Sequence, residues 1–303
     1  MMPSFLLEFL KLTFELIGLF FLISFLVGIG QFFINPKSKI FKFSRSNKFL
    51  SACCGALLGG VTPFCSCSTI PLFVGFVNSK APFSTSIAFL LASPIMNPAI
   101  ITLMGVFFGI KTAILYGLCT FIFAVLCGLV LEKFGFEKEI YDISITGGKK
   151  ELQMWSELAG TFGMKLKTVI QTSILNSLLL LRKVFPYLLV GTAIGALIHG
   201  LLPVSVVQKV GGIPAWFSVP AAALIGIPLY IRTETIIPMA TVLQSVGLGP
   251  GVLVSLMIGG GGASLPEVSL LSSIFTKKML AAFLISVFAV ACATGFIFNS
   301  LLG

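Results

Sequence analysis

Residues 62–71 read Thr62-Pro63-Phe64-Cys65-Ser66-Cys67-Ser68-Thr69-Ile70-Pro71, which puts two thiols and four hydroxyls inside an otherwise apolar stretch. On an α-helix, positions i and i+2 lie about 200° apart, so Cys65 and Cys67 face one small ligand only where the helix is unwound. Pro63 and Pro71 supply a reason for unwinding. Each lacks a backbone donor and disfavours helix at the residue before it, so the stretch between them is expected to be free of regular helical bonds. At membrane depth such backbone is tolerated only where it lines a cavity enclosed by protein.

Composition sets the surroundings of that stretch. Of 303 residues 57% are hydrophobic and 10% charged, and the mean hydropathy is +1.08. This excludes a water-soluble globular domain. Several runs exceed the ~20 apolar residues that cross a bilayer, so the chain reads as an all-α polytopic membrane protein. The net charge of +10 resides in short segments between apolar runs. Positive-inside bias and anionic lipid account for it, and nucleic acid is not expected as a partner. Cys53, Cys54, Cys119, Cys127 and Cys292 fall in ordinary apolar runs and read as small core residues, with no disulfide framework. Leu16 to Ile34 is too long for a signal-peptide core and reads as a retained first span.

Apolar spans are expected at about residues 16–34, 49–77, 83–110, 112–131, 184–202, 213–246, 251–276 and 279–301. The polar stretch 132–167 reads as a linker between a membrane repeat over residues 1–131 and a second over 168–303, in which residues 168–183 form an interfacial helix or a span extension. At a shift of about 167 residues Pro71 falls on Pro238, Lys111 on Lys278, and Pro98 on Pro266 with one residue of slip. In this register Cys65 falls on Arg232 and Cys67 on Glu234. A second pair of breaks also corresponds: Ser93-Pro94-Ile95-Met96-Asn97-Pro98 with Gly261-Gly262-Ala263-Ser264-Leu265-Pro266, followed by Glu267. Interrupted hydrophobic segments at matching places in two halves point to a transporter binding site.

Charge counting gives the orientation. If all eight spans cross, the two sides carry nine and ten basic residues, which is no bias. If the Cys65 and Arg232 spans are re-entrant hairpins, residues 37–48, Lys80, residues 133–183, Lys277 and Lys278 share one side, with 16 of the 20 basic residues. Positive-inside then favours the hairpins, leaving each repeat about three full spans plus one broken or re-entrant hairpin. An odd number of crossings makes the repeats inverted. The competing reading is that both segments are kinked full spans.

A thiolate pair is a soft donor set, suited to trivalent arsenic, Cu(I) or Hg(II), so Cys65 and Cys67 are the candidate arsenic or soft-metal ligands and the cargo is expected to be thiophilic. Ser66, Ser68 and Asn97 are candidate polar contacts to it, and Asn97 equally reads as a helix cap. Arg232, Glu234 and Glu267 are intramembrane charges, costing at least ~2.5 kcal/mol each on insertion scales, so they face protein or water and pair. Either they lock the hairpin as an ion pair or they titrate and couple cargo exit to proton entry. His199 reads as interfacial. Gly259 to Gly262 precede no Lys-Ser/Thr pair, so no nucleotide motif is present and no cofactor is expected.

Gly60-Val61-Thr62-Pro63-Phe64-Cys65-Ser66-Cys67-Ser68, Ala92-Ser93-Pro94-Ile95-Met96-Asn97-Pro98, Gly226-Ile227-Pro228-Leu229-Tyr230 and Gly259-Gly260-Gly261-Gly262-Ala263-Ser264 together resemble the ArsP-type permease family. The resemblance implies a multi-pass protein of the bacterial inner membrane that extrudes trivalent organoarsenicals, with Cys65 and Cys67 as ligands. Its partners would be that small molecule and the lipid bilayer. Assembly stays open, a homodimer among the options. Two alternatives differ in class or cargo: a membrane thiol-disulfide relay, and a Cu(I) or Hg(II) transporter. The relay needs one cysteine from each half, whereas here both lie in the first.

Overall fold

A chain this apolar, in lipid, must satisfy its backbone hydrogen bonds within each segment, and helices do so. The computed structural model describes residues 17–18, 21–22, 24–26, 29, 47–62, 66–78, 81–140, 162–201, 214–229, 237 and 248–302. They form α1 (Lys48–Val61), α2 (Ser66–Asn78), α3 (Phe83–Ile95), α4 (Pro98–Phe108), α5 (Ile110–Lys133), α6 (Phe162–Leu201), α7 (Ala215–Leu229), α8 (Pro250–Gly262), α9 (Leu265–Leu271) and α10 (Lys277–Leu302), with a 3-10 turn at Phe136–Glu139. The protein is a helical, multi-pass membrane protein. α5, the α8–α9 stretch Pro250–Leu271, and α10 are each long and apolar enough to span, and α3 with α4, bent by 42° at the break between them, is long and apolar enough only when taken as one pair. Ile110, Ile114, Leu118, Ile122, Leu126 and Val130 form an exposed apolar stripe along α5, a surface for lipid chains.

α1 runs parallel to α3. Ser51 hydrogen-bonds Thr85 through their hydroxyls, Gly55 abuts the Thr85 carbonyl, Gly59 the Phe89 carbonyl, and Gly60 the Met96 side chain. Residue numbers rise together along this interface, so both helices begin at one end of the bundle. α2 lies between them in sequence and must therefore carry the chain back. The 14 residues of α1 rise about 21 Å, short of the ~30 Å hydrocarbon core. The chain thus enters along α1, which ends at the depth of the α3–α4 break, and returns along α2, which starts at Ser66.

One expectation fails here. The stretch from Pro63 to Pro71 is not unwound throughout, because α2 starts at Ser66 and holds Pro71 inside it. Pro71 is the sixth residue of α2, where it removes one intrahelical bond, the one that would reach the Cys67 carbonyl, and the helix absorbs that single loss. Of the two readings of residues 168–183, the structure gives the span extension and not a separate interfacial helix. These residues belong to the 40-residue α6, which buries Val169, Ser173, Asn176, Ser177 and Leu180 on one face. The expected linker is ordered at both margins: Phe136–Glu139 is fastened by an Ile140 to Phe275 bridge, and α6 begins at Phe162. Cys54, expected inside, is exposed.

The offset noticed in the sequence recurs in the helices. α1 and α7 start at 48 and 215, α3 and α8 at 83 and 250, α4 and α9 at 98 and 265, α5 and α10 at 110 and 277. It recurs in contacts as well. Gly59 packs on the Phe89 carbonyl and Gly226 on that of Leu256, while Gly128 packs on the Ser84 carbonyl and Gly295 on that of Gly251. The Ser84 N–H donates to Glu132 Oε2 at 2.8 Å, and the Gly251 N–H donates to Asn299 Oδ1 at 2.9 Å. α5 and α10 run antiparallel, for Tyr116 meets Phe298 near one end and Cys127 meets Ser286 toward the other. Lys48 Nζ pairs with Glu132 Oε1 at 2.9 Å, so the starts of α1 and α3 and the finish of α5 share one end of the bundle.

A Cβ at Gly59 would lie 2.9 Å from the Phe89 carbonyl oxygen, and one at Gly226 would lie 2.6 Å from that of Leu256. Neither backbone oxygen can swing away. Gly59→Val and Gly226→Val are each expected to destabilise the detergent-solubilised protein by about 1–3 kcal/mol, as overpacking does. Gly163→Val, with open space around it, is expected to leave the thermal unfolding midpoint unchanged.

Candidate functional site

Breaking a helix inside a bundle strands backbone donors and acceptors, and each must be paired again. At the α3–α4 break, Met96 and Asn97 leave the helical path. Asn97 Oδ1 accepts the Ile100 N–H at 2.8 Å, Pro98 fills the first helical position, where no donor is needed, and Tyr116 on α5 donates its hydroxyl to the Ile95 carbonyl at 2.9 Å. Tyr116 was missed in the sequence reading. Its signal was present: a tyrosine in an apolar span brings a hydroxyl that demands a partner. At the end of α1, Thr62 turns its hydroxyl back to the Leu58 carbonyl at 2.8 Å.

The α8–α9 break is built at the equivalent place but closed differently. Ser264 stands where Asn97 stands, at the N-cap, and makes no side-chain cap bond. Glu267 is the third residue of α9, the spacing of a capping box, in which a glutamate reaches back toward the N-cap N–H. The Ser264 N–H approaches it. Yet both carboxyl oxygens are wholly buried and, among the described residues, make no hydrogen bond. The Ser93 hydroxyl, buried just before the first break, also has no partner among them.

These breaks lie together. Ile95 contacts Gly262, the last residues of α3 and α8. α3 is antiparallel to α5, since Tyr116 meets Ile95 and Glu132 meets Ser84. α8 is antiparallel to α10, since Asn299 meets Gly251 and Val287 meets Gly262. With α5 antiparallel to α10, α2 and α9 therefore descend in the same direction. α2 meets α9 through a core joining Ile70, Phe73 and Val74 to Leu270 and Leu271, and meets the turn just beyond α9 through Phe73 and Phe275, whose rings lie edge-on at 5.4 Å. Counting back from that contact puts the first turn of α2, where Cys67 is the second residue, level with the first turn of α9, where Glu267 is the third.

Other expected site residues have a partial placement. Cys65, Arg232 and Glu234 lie outside the described residues, as do the side chains of Ser66, Cys67, Ser68 and His199. Ile237, three positions beyond Glu234, is buried in one core cluster with Ile95, Met257 and Ile258. The structure thus brings Asn97, Glu267 and the first turn of α2 to one depth, and it commits one atom of Asn97 to the cap.

Comparison with known proteins bears on what this centre serves. The sequence model of the ArsP_1 family, described as a predicted permease, matches residues 3–300. A UPF0718 protein of Methanocaldococcus jannaschii is 26% identical over 327 aligned residues that cover 89% of each chain. The UPF0718 protein YcgR of Bacillus subtilis is 31% identical over 91 residues, 30% of this chain and 31% of its own. A Streptococcus mutans protein, whose name proposes it as a subunit of a two-component membrane permease complex, is 29% identical over 93 residues, 31% of each chain. No solved structure matches.

Replacing the cap at the first break tests its part in holding the site. Asn97→Ala is expected to lower stability by about 0.5–2 kcal/mol, with Asn97→Ser recovering most of the loss. Thermal melts of the two variants in one detergent give the comparison.

Proposed function

Because the chain belongs to the predicted permease family whose model it matches over residues 3–300, it is a transporter rather than an enzyme, and we propose that it is a secondary efflux permease for thiophilic small molecules, trivalent organoarsenicals foremost. The observation that carries this reading is the convergence at one depth of three helix ends, Val61 of α1 before Ser66 opens α2, Ile95 before the Met96–Asn97 break, and Gly262 before the Ala263–Ser264 break. Interrupted helices meeting at the middle of a bundle are the place where transporters bind cargo. In this reading the only Cys-x-Cys of the sequence, which falls between α1 and the first turn of α2, serves that centre, and a soft thiol pair selects a soft centre.

In this reading Cys65 and Cys67 exchange two hydroxyls of a trivalent arsenical for two As–S bonds, and each thiol proton leaves with a hydroxyl as water. Arsenic keeps its oxidation state, so the capture needs no reductant and reverses when water returns. Ser66, Ser68 and Asn97 supply polar contacts at the mouth of the hairpin. Arg232 and Glu234, at positions equivalent to the two cysteines, face the captured cargo from the other half. The two halves are inverted relative to one another, a reading supported by the shared offset of helix starts and by antiparallel α5 and α10. The Lys48–Glu132 end, richer in basic residues, then faces the cytoplasm, and the protein resides in the cytoplasmic membrane of a bacterium.

Everted vesicles containing the protein are expected to accumulate a trivalent phenyl or methyl arsenical in preference to inorganic arsenite, Cu(I) or Hg(II). Cys65→Ser and Cys67→Ser should each abolish that accumulation while leaving expression and thermal stability intact. Undiminished uptake by both variants removes the thiols from the site. A mixed disulfide with thioredoxin, trapped by either variant, transfers the assignment to a thiol-disulfide relay.

A further inference from the structure

α9 packs most extensively on α6 and next on the returning arm α2. The face α6 buries is not apolar, since Ser173, Asn176 and Ser177 lie on it between Val169 and Leu180. Residues 173, 176 and 177 are spaced three and one apart, so they share one side of a helix. Leu180, at the far end of the stripe, belongs to the same core as Leu270 and Leu271 of α9. Ser177 donates to the Ser173 carbonyl, while the Ser173 hydroxyl, wholly buried, has no partner among the described residues. A fully apolar face would have packed this interface at lower cost, because a buried hydroxyl without a partner forfeits its desolvation energy.

On α9, the buried side chains Glu267, Leu270 and Leu271 share a face, and the buried Ser273 continues toward Thr276. The Thr276 hydroxyl donates to Glu139 at 2.7 Å, and Lys278 pairs with the same carboxylate at 3.8 Å. Glu267 thus has no partner among the described residues, Arg232 and Glu234 lying outside them, and its short helix ends at Leu271, just before the charged end of the bundle at Thr276 and Glu139. No other titratable side chain on α9 competes with it. On α6 the charged residues Lys167 and Arg182 point outward, Lys165 is only partly covered, and Lys183 and His199 have side chains outside the described residues. α2 contributes Cys67 alone, and Lys277 and Lys278 at the start of α10 are exposed.

We propose that Glu267 is the proton-carrying group of this permease, and that the Ser173–Asn176–Ser177 face of α6 is the polar track by which it exchanges protons with the aqueous phase. This rests on the permease reading and gives it a driving ion. The carboxylate takes up one proton and later returns it to water, and no bond other than O–H is made or broken. Because α9 and α2 begin at one level, the proton and the thiol-bound cargo occupy neighbouring turns, and the charge state of the one bears directly on the other.

The test uses the full chain reconstituted in liposomes without cargo, so it stands even if the cargo is misassigned. Dicyclohexylcarbodiimide modifies protonated carboxyls in apolar surroundings, and the modified peptide is identified by mass spectrometry. Glu267 is expected to be modified faster as pH falls, with the adduct lost in Glu267→Gln. Asn176→Leu, and Ser173→Ala combined with Ser177→Ala, are expected to slow protonation-limited modification by roughly an order of magnitude. Failure to modify Glu267 at any pH overturns the proposal, as does a rate indifferent to pH, which marks a carboxyl locked in an ion pair. Protection by sodium at fixed pH also overturns it, in favour of a metal-cation site. The pH profile of the unaltered protein decides the carboxyl's role even if an α6 variant fails to fold, and unchanged rates in folded α6 variants reject the track.

Discussion

Inside a membrane no water is at hand to repair a broken helix, so every interruption must be matched by a protein group aimed at the stranded backbone. The bundle is arranged around that demand. Asn97 receives the Ile100 N–H, Tyr116 reaches from α5 to the Ile95 carbonyl, and Thr62 folds onto Leu58 at the end of α1. The repairs by Asn97 and Thr62 stay within their own helices, and that by Tyr116 ties the first break to α5. The breaks are consequently placed as firmly as regular helices would be, and polar atoms can be presented at the centre of an apolar protein.

The corresponding break in the second half has no side-chain cap among the described residues. That break has a serine that makes no cap bond and a glutamate whose carboxyl finds no partner among the described residues. Where the first half spends its polar group on structure, the second leaves one in reserve. The same divergence appears at the helix ends: Glu132 serves both the Ser84 amide and Lys48, whereas Asn299 at the corresponding place serves the Gly251 amide. Equivalent positions retain the contact and change the charge.

Much of this was legible in residue order. The polytopic helical class followed from composition, the breaks from Pro98 and Pro266, and the offset of 167 from a few matched prolines and lysines, because prolines and charges are conspicuous in apolar sequence. The extent of unwinding was not legible. Pro71 looked like a boundary, and it lies within α2, since one lost bond near a helix start is cheaper than abandoning the turn. The burial of Ser173, Asn176 and Ser177 was hidden for another reason: hydroxyls and amides alternating with leucines look alike whether they face headgroups or another helix, and α9 decides between the two. The depth shared by α2 and α9 arises from three helix directions combined, which no local pattern records.

The glycine contacts have a mechanical meaning. Within each half the helices meet backbone to backbone, Gly59 on Phe89 and Gly128 on Ser84, Gly226 on Leu256 and Gly295 on Gly251. Such seams contain few side chains that can change rotamer, so α1, α3 and α5 form one stiff body and α7, α8 and α10 another. Between the bodies the contacts are sparser, with Ile95 against Gly262 and Tyr116 against Phe298 at their centre. The seam between the two bodies is made of side chains, Ile95, Tyr116 and Phe298 among them, which can change rotamer where the glycine seams cannot.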